Sequence, residues 1–271
     1  MKKFFVLALA LASTGVFATS IELPDTLTTK QIEDVSSEFA VNLSHTAVAA
    51  PETEGIWGVE VGLIAGKTAS PELADLIDQT GEDGSNFKTI YHAGLMARAH
   101  FPLDLFAEMT ILPEREISDV TIKNGTFGLG WNAGAFFNLP LDLAIGANFS
   151  NSEVTYSQVI NNASTGSVAI DSEIQFAAKT RVLYVGVSKT FLFFTPYAKI
   201  GTAKYDADVE VDAGGTSGTI FVSGDQKESV SGTGGYYAIG ANLQFFLFRF
   251  GFEASRTLDI GRVSGKLSLA F

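Results

Sequence analysis

The chain has 271 residues, a net charge of −12, a mean hydropathy of +0.22 and no cysteine. The acidity argues against a nucleic-acid partner, because a phosphate backbone selects basic surfaces. The missing cysteine excludes disulfides, thiol chemistry and a lipid-modified Cys anchor.

Met1-Lys-Lys3 is a short basic start, Phe4 to Ala12 is purely apolar, and Val16-Phe17-Ala18 is a small-residue cleavage site. Residues 1–18 therefore read as a secretory signal cut after Ala18. Loss of Lys2 and Lys3 takes the charge from −12 to −14. The signal's apolar core, about nine residues, is too short to span a bilayer as a helix. No run of about 18 apolar residues follows it. The apolar content is spread in alternation instead. Lipid leaves two spanning solutions, helices or a closed barrel, and only the barrel remains.

Residues 19–55 stand apart. Thr28 to Ser37 reads as a short helix with Ile32 and Val35 inward. Phe39, Val41, Leu43 and His45 then alternate like a strand. This segment either plugs the lumen, lies at its periplasmic mouth, or adds to the wall beside the last strand.

From Ile56 onward a repeated phrase sets the architecture. Phe101-Pro-Leu-Asp-Leu-Phe-Ala-Glu108 recurs as Leu139-Pro-Leu-Asp-Leu-Ala-Ile-Gly146, and more loosely at Phe191 to Ala198 and Phe245 to Phe252. Each phrase joins two alternating runs through a tight turn. Long stretches rich in Gly, Ser, Asn and Asp lie between them. Short turns on one rim and long loops on the other mark a membrane barrel. Four turns plus two chain ends on the periplasmic side give about ten strands, with twelve possible.

The alternation assigns faces. Val59, Val61, Leu63, Leu95, Met109, Ile111, Phe127, Leu129, Ile145, Leu183, Val185, Ile200, Ile239, Phe250 and Phe252 face out. Glu60, His92, Arg98, His100, Glu108, Asn132, Asn148, Tyr184, Tyr197, Lys199, Arg249 and Glu253 face in. The final run, Arg262 to Phe271, puts Val263, Leu267, Leu269 and Phe271 on one side and Arg262, Ser264, Lys266 and Ser268 on the other.

The signal, the alternating segments and the terminal Phe271 resemble small Gram-negative outer-membrane β-barrel proteins. The resemblance covers about Ile56 to Phe271. It implies an all-β, closed antiparallel transmembrane barrel in the bacterial outer membrane, with Phe271 as the assembly signal read by the barrel-assembly machinery. The phrase around His100-Phe-Pro-Leu with the following Ala-Glu resembles a family of outer-membrane barrels without an assigned function, so nothing about substrate comes with it.

The inward charges Glu60, Arg98, Glu108, Lys199, Arg249, Glu253, Arg262 and Lys266 read as a lumen network, with Glu60 beside Arg262 and Lys266, and Arg249 beside Glu253. A barrel this small has an interior that side chains can largely fill. A structural or surface role follows. The alternative is a narrow porin, or a channel for small solutes or hydrophobic molecules, with the amino-terminal segment as plug. An outer-membrane hydrolase is the remaining reading. Omptin-type proteases place acidic residues and a His above the outer rim, whereas His100 adjoins a periplasmic turn here. Catalytic residues, cofactors and a metal site are not expected. Asp206, Asp208, Glu210 and Asp212 share one strand face, but no Gly-hinged cation loop follows. Lys179, Arg181 and Lys204 face outward about ten residues from the turn at Phe191, the height of lipopolysaccharide phosphates.

Overall fold

A computed structural model describes residues 28–44, 47–51, 58–79, 84–117, 120–136, 139–162, 168–217 and 220–271. Residues 1–18, read above as a signal, and His45 lie outside the described residues. The strands are β1 (Gly58–Ala69), β2 (Thr89–Phe101), β3 (Leu105–Ile117), β4 (Val120–Asn132), β5 (Asp142–Asn162), β6 (Val168–Ser188), β7 (Phe194–Ser217), β8 (Ile220–Phe245), β9 (Phe248–Thr257) and β10 (Ile260–Ala270). Each pairs antiparallel with its sequence neighbours, and β1 pairs with β10 from Glu60↔Ala270 to Thr68↔Arg262. The chain is thus a closed ten-stranded antiparallel barrel. The wider count of twelve does not hold.

Closure follows from the alternation. In β9, Phe248, Phe250 and Phe252 are exposed while Arg249, Gly251 and Glu253 are buried, without a break in the pattern. The same period of two runs through β1, β2, β6 and β10. An apolar exterior with a polar interior fits lipid outside, and closing the ladder leaves no unpaired backbone edge in the hydrocarbon. No described helix is long and apolar enough to cross a membrane.

The two rims differ. The turns at Pro102, Leu192 and Phe246 are tight and apolar. Leu192 and Phe246 have φ of 56° and 54°, a left-handed conformation that costs an ordinary side chain energy. Both are almost wholly exposed, so their side chains can enter the membrane interface, which offsets that cost. The opposite rim keeps one long connection, between β1 and β2, and elsewhere departs from the expectation of long loops. The Gly-, Ser- and Asp-rich stretches continue the strands instead. β5 and β6 pair over 21 residues each, and β7 and β8 pair from Phe194↔Leu243 to Ser217↔Ile220. The wall is about ten residues taller on that side, roughly 25 Å for tilted strands.

The amino-terminal segment also departs from the sequence reading. Phe39, Val41 and Leu43 belong to a helix, α1 (Thr29–Leu43), not to a strand. The seam that a wall strand would need is already closed by β1 and β10. A capping box starts α1. The Thr28 hydroxyl accepts from the Gln31 amide, and the Gln31 side chain accepts from the Thr28 amide. Ala40, Val41, Asn42 and Leu43 are all buried, because wall surrounds this end of the helix. A second helix, α2 (Pro71–Asp78), follows β1 on the outer rim.

Candidate functional site: the occupied lumen

The lower lumen holds seven of the eight inward charges. Glu60, on β1, accepts from Lys266 Nζ at 2.6 Å, Ser268 Oγ at 2.5 Å and Arg249 Nη1 at 3.3 Å. Glu253, on β9, accepts from Lys199 Nζ and the Tyr197 hydroxyl, each at 3.0 Å. Arg98 and Glu108 face each other across β2 and β3. The Arg98 guanidinium also lies 4.6 Å from the Phe106 ring centre. All seven are at most 6% exposed. Buried ions hold only when paired and hydrogen-bonded, and the six barrel strands contributing them supply that pairing.

The pairing differs in detail from the sequence reading. Arg249 meets Glu60, and Glu253 meets Lys199. Arg262 is not beside Glu60. It lies opposite Thr68 in the register, near the outer end of β1. Its guanidinium donates to Val41 O at 3.2 Å and to Ser44 O, at the carboxyl end of α1. A cation there complements both the unsatisfied carbonyls and the negative end of the helix dipole.

The upper lumen is shaped around α1. Asn124 Nδ2 donates to Leu43 O at 2.5 Å, Tyr205 donates to Glu33 O at 3.1 Å, and Asn42 Oδ1 lies 3.2 Å from His92 Nδ1. Ala40 packs with Phe176, Ala178, Tyr205, Ala207 and Val230, an apolar patch on the inner face of β6 to β8. Below the helix, Ala47 and Ala49 pack on Ile64 and Met96. Arg98 Nη1 donates to Ala50 O at 3.1 Å, and Ser188 donates to Pro51 O.

One buried carboxyl joins α1 to the outer rim. Glu38 accepts from the backbone N–H of Glu72 at 2.8 Å and of Leu73 at 2.9 Å, in the first turn of α2. Burial pushes the Glu38 carboxyl up to about 7. The two N–H bonds oppose that shift, and the nearby Glu72 and Asp34 carboxylates add to it. Nothing local in the sequence marks Glu38, since its partners lie 34 and 35 positions away.

Three further residues meet that the sequence order separates. His92 Nε2 lies 3.2 Å from Ser264 Oγ, while His92 Nδ1 faces Asn42. Ser, His and Asn in this order have the connectivity of a hydrolase triad. The surroundings do not suit one. All three are buried between α1 and the wall. The backbone at Ser264 is paired with Glu253 and Gly66 in the ladders on either side, which leaves no free donors there for an oxyanion. The trio ties helix to wall. Among the described residues no group of three His, Asp or Glu could hold a metal ion.

On the outer face the register brings the three expected cations together. Arg181 lies opposite Lys204, and Lys179 lies opposite Asp206. Lys204 Nζ is 3.1 Å from Asp206 Oδ1, so three cations and one carboxylate leave a net +2. Higher up, Asp208 accepts from Ser229 and Glu210 pairs with Lys227 at 3.7 Å. These acids of the Asp206–Asp212 face have protein partners. Phe271 closes the seam. Its N–H donates to Val59 O at 2.8 Å, and Val59 N–H donates to Phe271 O at 3.0 Å.

The closed wall, apolar outside and charged within, defines a β-barrel of the membrane-spanning type. No family model and no curated protein matches it. Among solved structures, the attachment invasion locus protein Ail of Yersinia pestis is 14% identical over 80% of this chain and 99% of its own, with a TM-score of 0.32. The translocator domain of the autotransporter NalP from Neisseria meningitidis is 10% identical over 90% and 99%, with a TM-score of 0.47. The Pseudomonas putida toluene transporter TodX is 6% identical over 93% and 98%, with a TM-score of 0.28. Likeness at this level assigns no activity.

Proposed function

We propose that this chain is a self-sealed outer-membrane barrel with a structural and surface role, not an open pore and not an enzyme. One observation carries the reading. Residues 28–51 are hydrogen-bonded to inward side chains from five strands, β2, β4, β6, β7 and β10. The test is conductance of the purified full chain in planar lipid bilayers. We expect no steady current. Stable openings of porin size would overturn the reading.

A second reading, a channel for small solutes or hydrophobic molecules plugged by the same segment, has one observation in its favour. Part of the inner wall is apolar, with Phe176 and Tyr205 packed on α1 and Val182, Tyr184 and Tyr236 in a second inward cluster. Conductance that appears only after removal of residues 28–51 would favour it.

The outward Lys179, Arg181 and Lys204 belong, in this reading, to lipopolysaccharide phosphates, and Phe271 to recognition by the barrel-assembly machinery after secretion with a cleaved signal. Outer-membrane lipid is the main partner.

A further inference from the structure

The lumenal segment has a direction. At the start of α1, Gln31 Nε2 donates at 3.0 Å to Gln79 Oε1, just beyond α2 on the outer rim. Glu38 also reaches the first turn of α2. The last turn of α1 lies lower, at Asn124, His92 and Arg262. The chain then descends. Ala47 and Ala49 meet Ile64 and Met96 near mid-wall. Pro51 O accepts from Ser188, at the periplasmic end of β6. The next described residue, Gly58, begins β1 at the periplasmic rim.

The wall leaves room for this path. Gly186 and Gly251 face inward beside it. A Cβ on Gly186 would lie 2.9 Å from Pro51 Cγ, and one on Gly251 would lie 2.8 Å from Val48 O. Real Cβ contacts are not that short, so a side chain at either place would push the threaded segment aside. The polar atoms agree. Arg262 is positioned to meet a helix carboxyl end pointing down the barrel, and it would repel the positive amino end of a helix inserted the other way.

We infer that the barrel displays the amino-terminal end of its own lumenal helix on the cell surface. The segment passes down through the lumen before the first strand is built, so Thr28 opens on the exterior while Gly58 starts at the periplasm. Lys30 and Glu33, both exposed, are then part of the outer surface beside α2. The inference rests on the sealed-barrel reading only for the helix staying in place. Its direction is an independent claim.

The chain has no cysteine, so one introduced thiol reports its own location. Lys30→Cys and Glu33→Cys are each placed in the full chain, with Leu192→Cys in a periplasmic turn as control. Heat-modifiable gel mobility confirms that each variant folds. Intact cells are treated with a membrane-impermeant maleimide, and a second sample is treated after the outer membrane is permeabilised. We expect Lys30→Cys and Glu33→Cys to label in intact cells to at least four-fifths of the permeabilised level, and Leu192→Cys to label only after permeabilisation. If both helix variants label only after permeabilisation, the inference fails. It also fails if Leu192→Cys labels in intact cells, because the barrel would then be inverted. Loss of surface labelling with no conductance would refute the direction alone, whereas loss with conductance would refute the sealed lumen as well.

Discussion

At the scale of single residues, the lumen is organised by a few buried carboxyls with unequal duties. Glu60 forms ion pairs with two cations, Lys266 and Arg249, which are 5% exposed each. Glu60→Gln keeps the volume but removes the carboxylate that both cations contact, a loss expected to cost about 3–5 kcal/mol. The expected outcome is a clear fall in the temperature at which the folded gel band converts to the unfolded one. Adding Lys266→Met should recover part of it. Removal of the surface pair Lys30–Asp34 should move that temperature little. Glu38 gives a pH dependence of definite sign. Its carboxyl titrates near 7 when α1 is docked and near 4.5 when free. A raised folded value means that the docked state binds the proton more tightly. The contribution to docking is therefore complete below about 4.5 and is lost as pH rises through 7. The protection factors of α1 and α2, which are exchange rates corrected for the intrinsic pH dependence of amide exchange, should fall between pH 5 and pH 8, and Glu38→Gln should flatten that fall. Equal protection factors at both pH values in the wild type would count against this account. Inward parity was readable from sequence for every one of the eight lumen charges, because strand period alone decides it. The partners were not readable. Arg262 meets carbonyls 218 and 221 positions away, and a two-residue period carries no information about what fills the lumen.

At the scale of elements, the sequence read best where each side chain had one environment. β9 and β10 touch lipid on one face and the lumen on the other, so their pattern is clean. Residues 40–43 are buried on every side and Phe39 partly so, so burial erased the helical stripe and left an alternation that imitated a strand. The outer polar stretches of β5 to β8 misled for the opposite reason. Water lies on both faces above the membrane, the apolar pattern stops, and continued pairing cannot be told from a loop. The upper edge of the apolar belt lies where that change occurs. Phe149 is opposite Arg181, and Leu183 and Ile200 lie just below the cations. Lys179, Arg181 and Lys204 stand about 25 Å above the Phe191 turn on tilted strands, the height of the belt. Any cation at that height can snorkel to the interface without a specific lipid, so the test must separate the two. Changing all three to Gln should abolish the rise in thermal stability that lipopolysaccharide gives the wild type. Dephosphorylated lipopolysaccharide should stabilise neither protein. Equal stabilisation of wild type and triple variant by intact lipopolysaccharide would rule the site out.

At the scale of the whole molecule, the barrel is one ladder that must close on its last few residues. Closure removes the edge that would leave N–H and C=O groups unpaired in hydrocarbon, and each such group costs several kcal/mol there. The seam between β1 and β10 is therefore where the fold is completed. It ends on the paired bonds between Phe271 and Val59. The Phe271 ring is 68% exposed and shares the outward face with Val263, Leu267 and Leu269, so it contributes little to packing inside the wall. Two effects of its loss can be separated. Phe271→Ala keeps both seam bonds and removes only the ring, whereas deletion removes both. If the ring is what the assembly machinery reads, Phe271→Ala should sharply reduce the amount of heat-modifiable protein in the outer membrane. The same variant, refolded from denaturant into detergent or lipid vesicles without the machinery, should reach nearly the wild-type yield. Deletion should be worse than Phe271→Ala in both settings, because the seam also loses two backbone bonds. A Phe271→Ala protein that assembles normally in cells would show that the terminal ring carries no signal. One that fails equally in vesicles would make Phe271 a seam residue and nothing more.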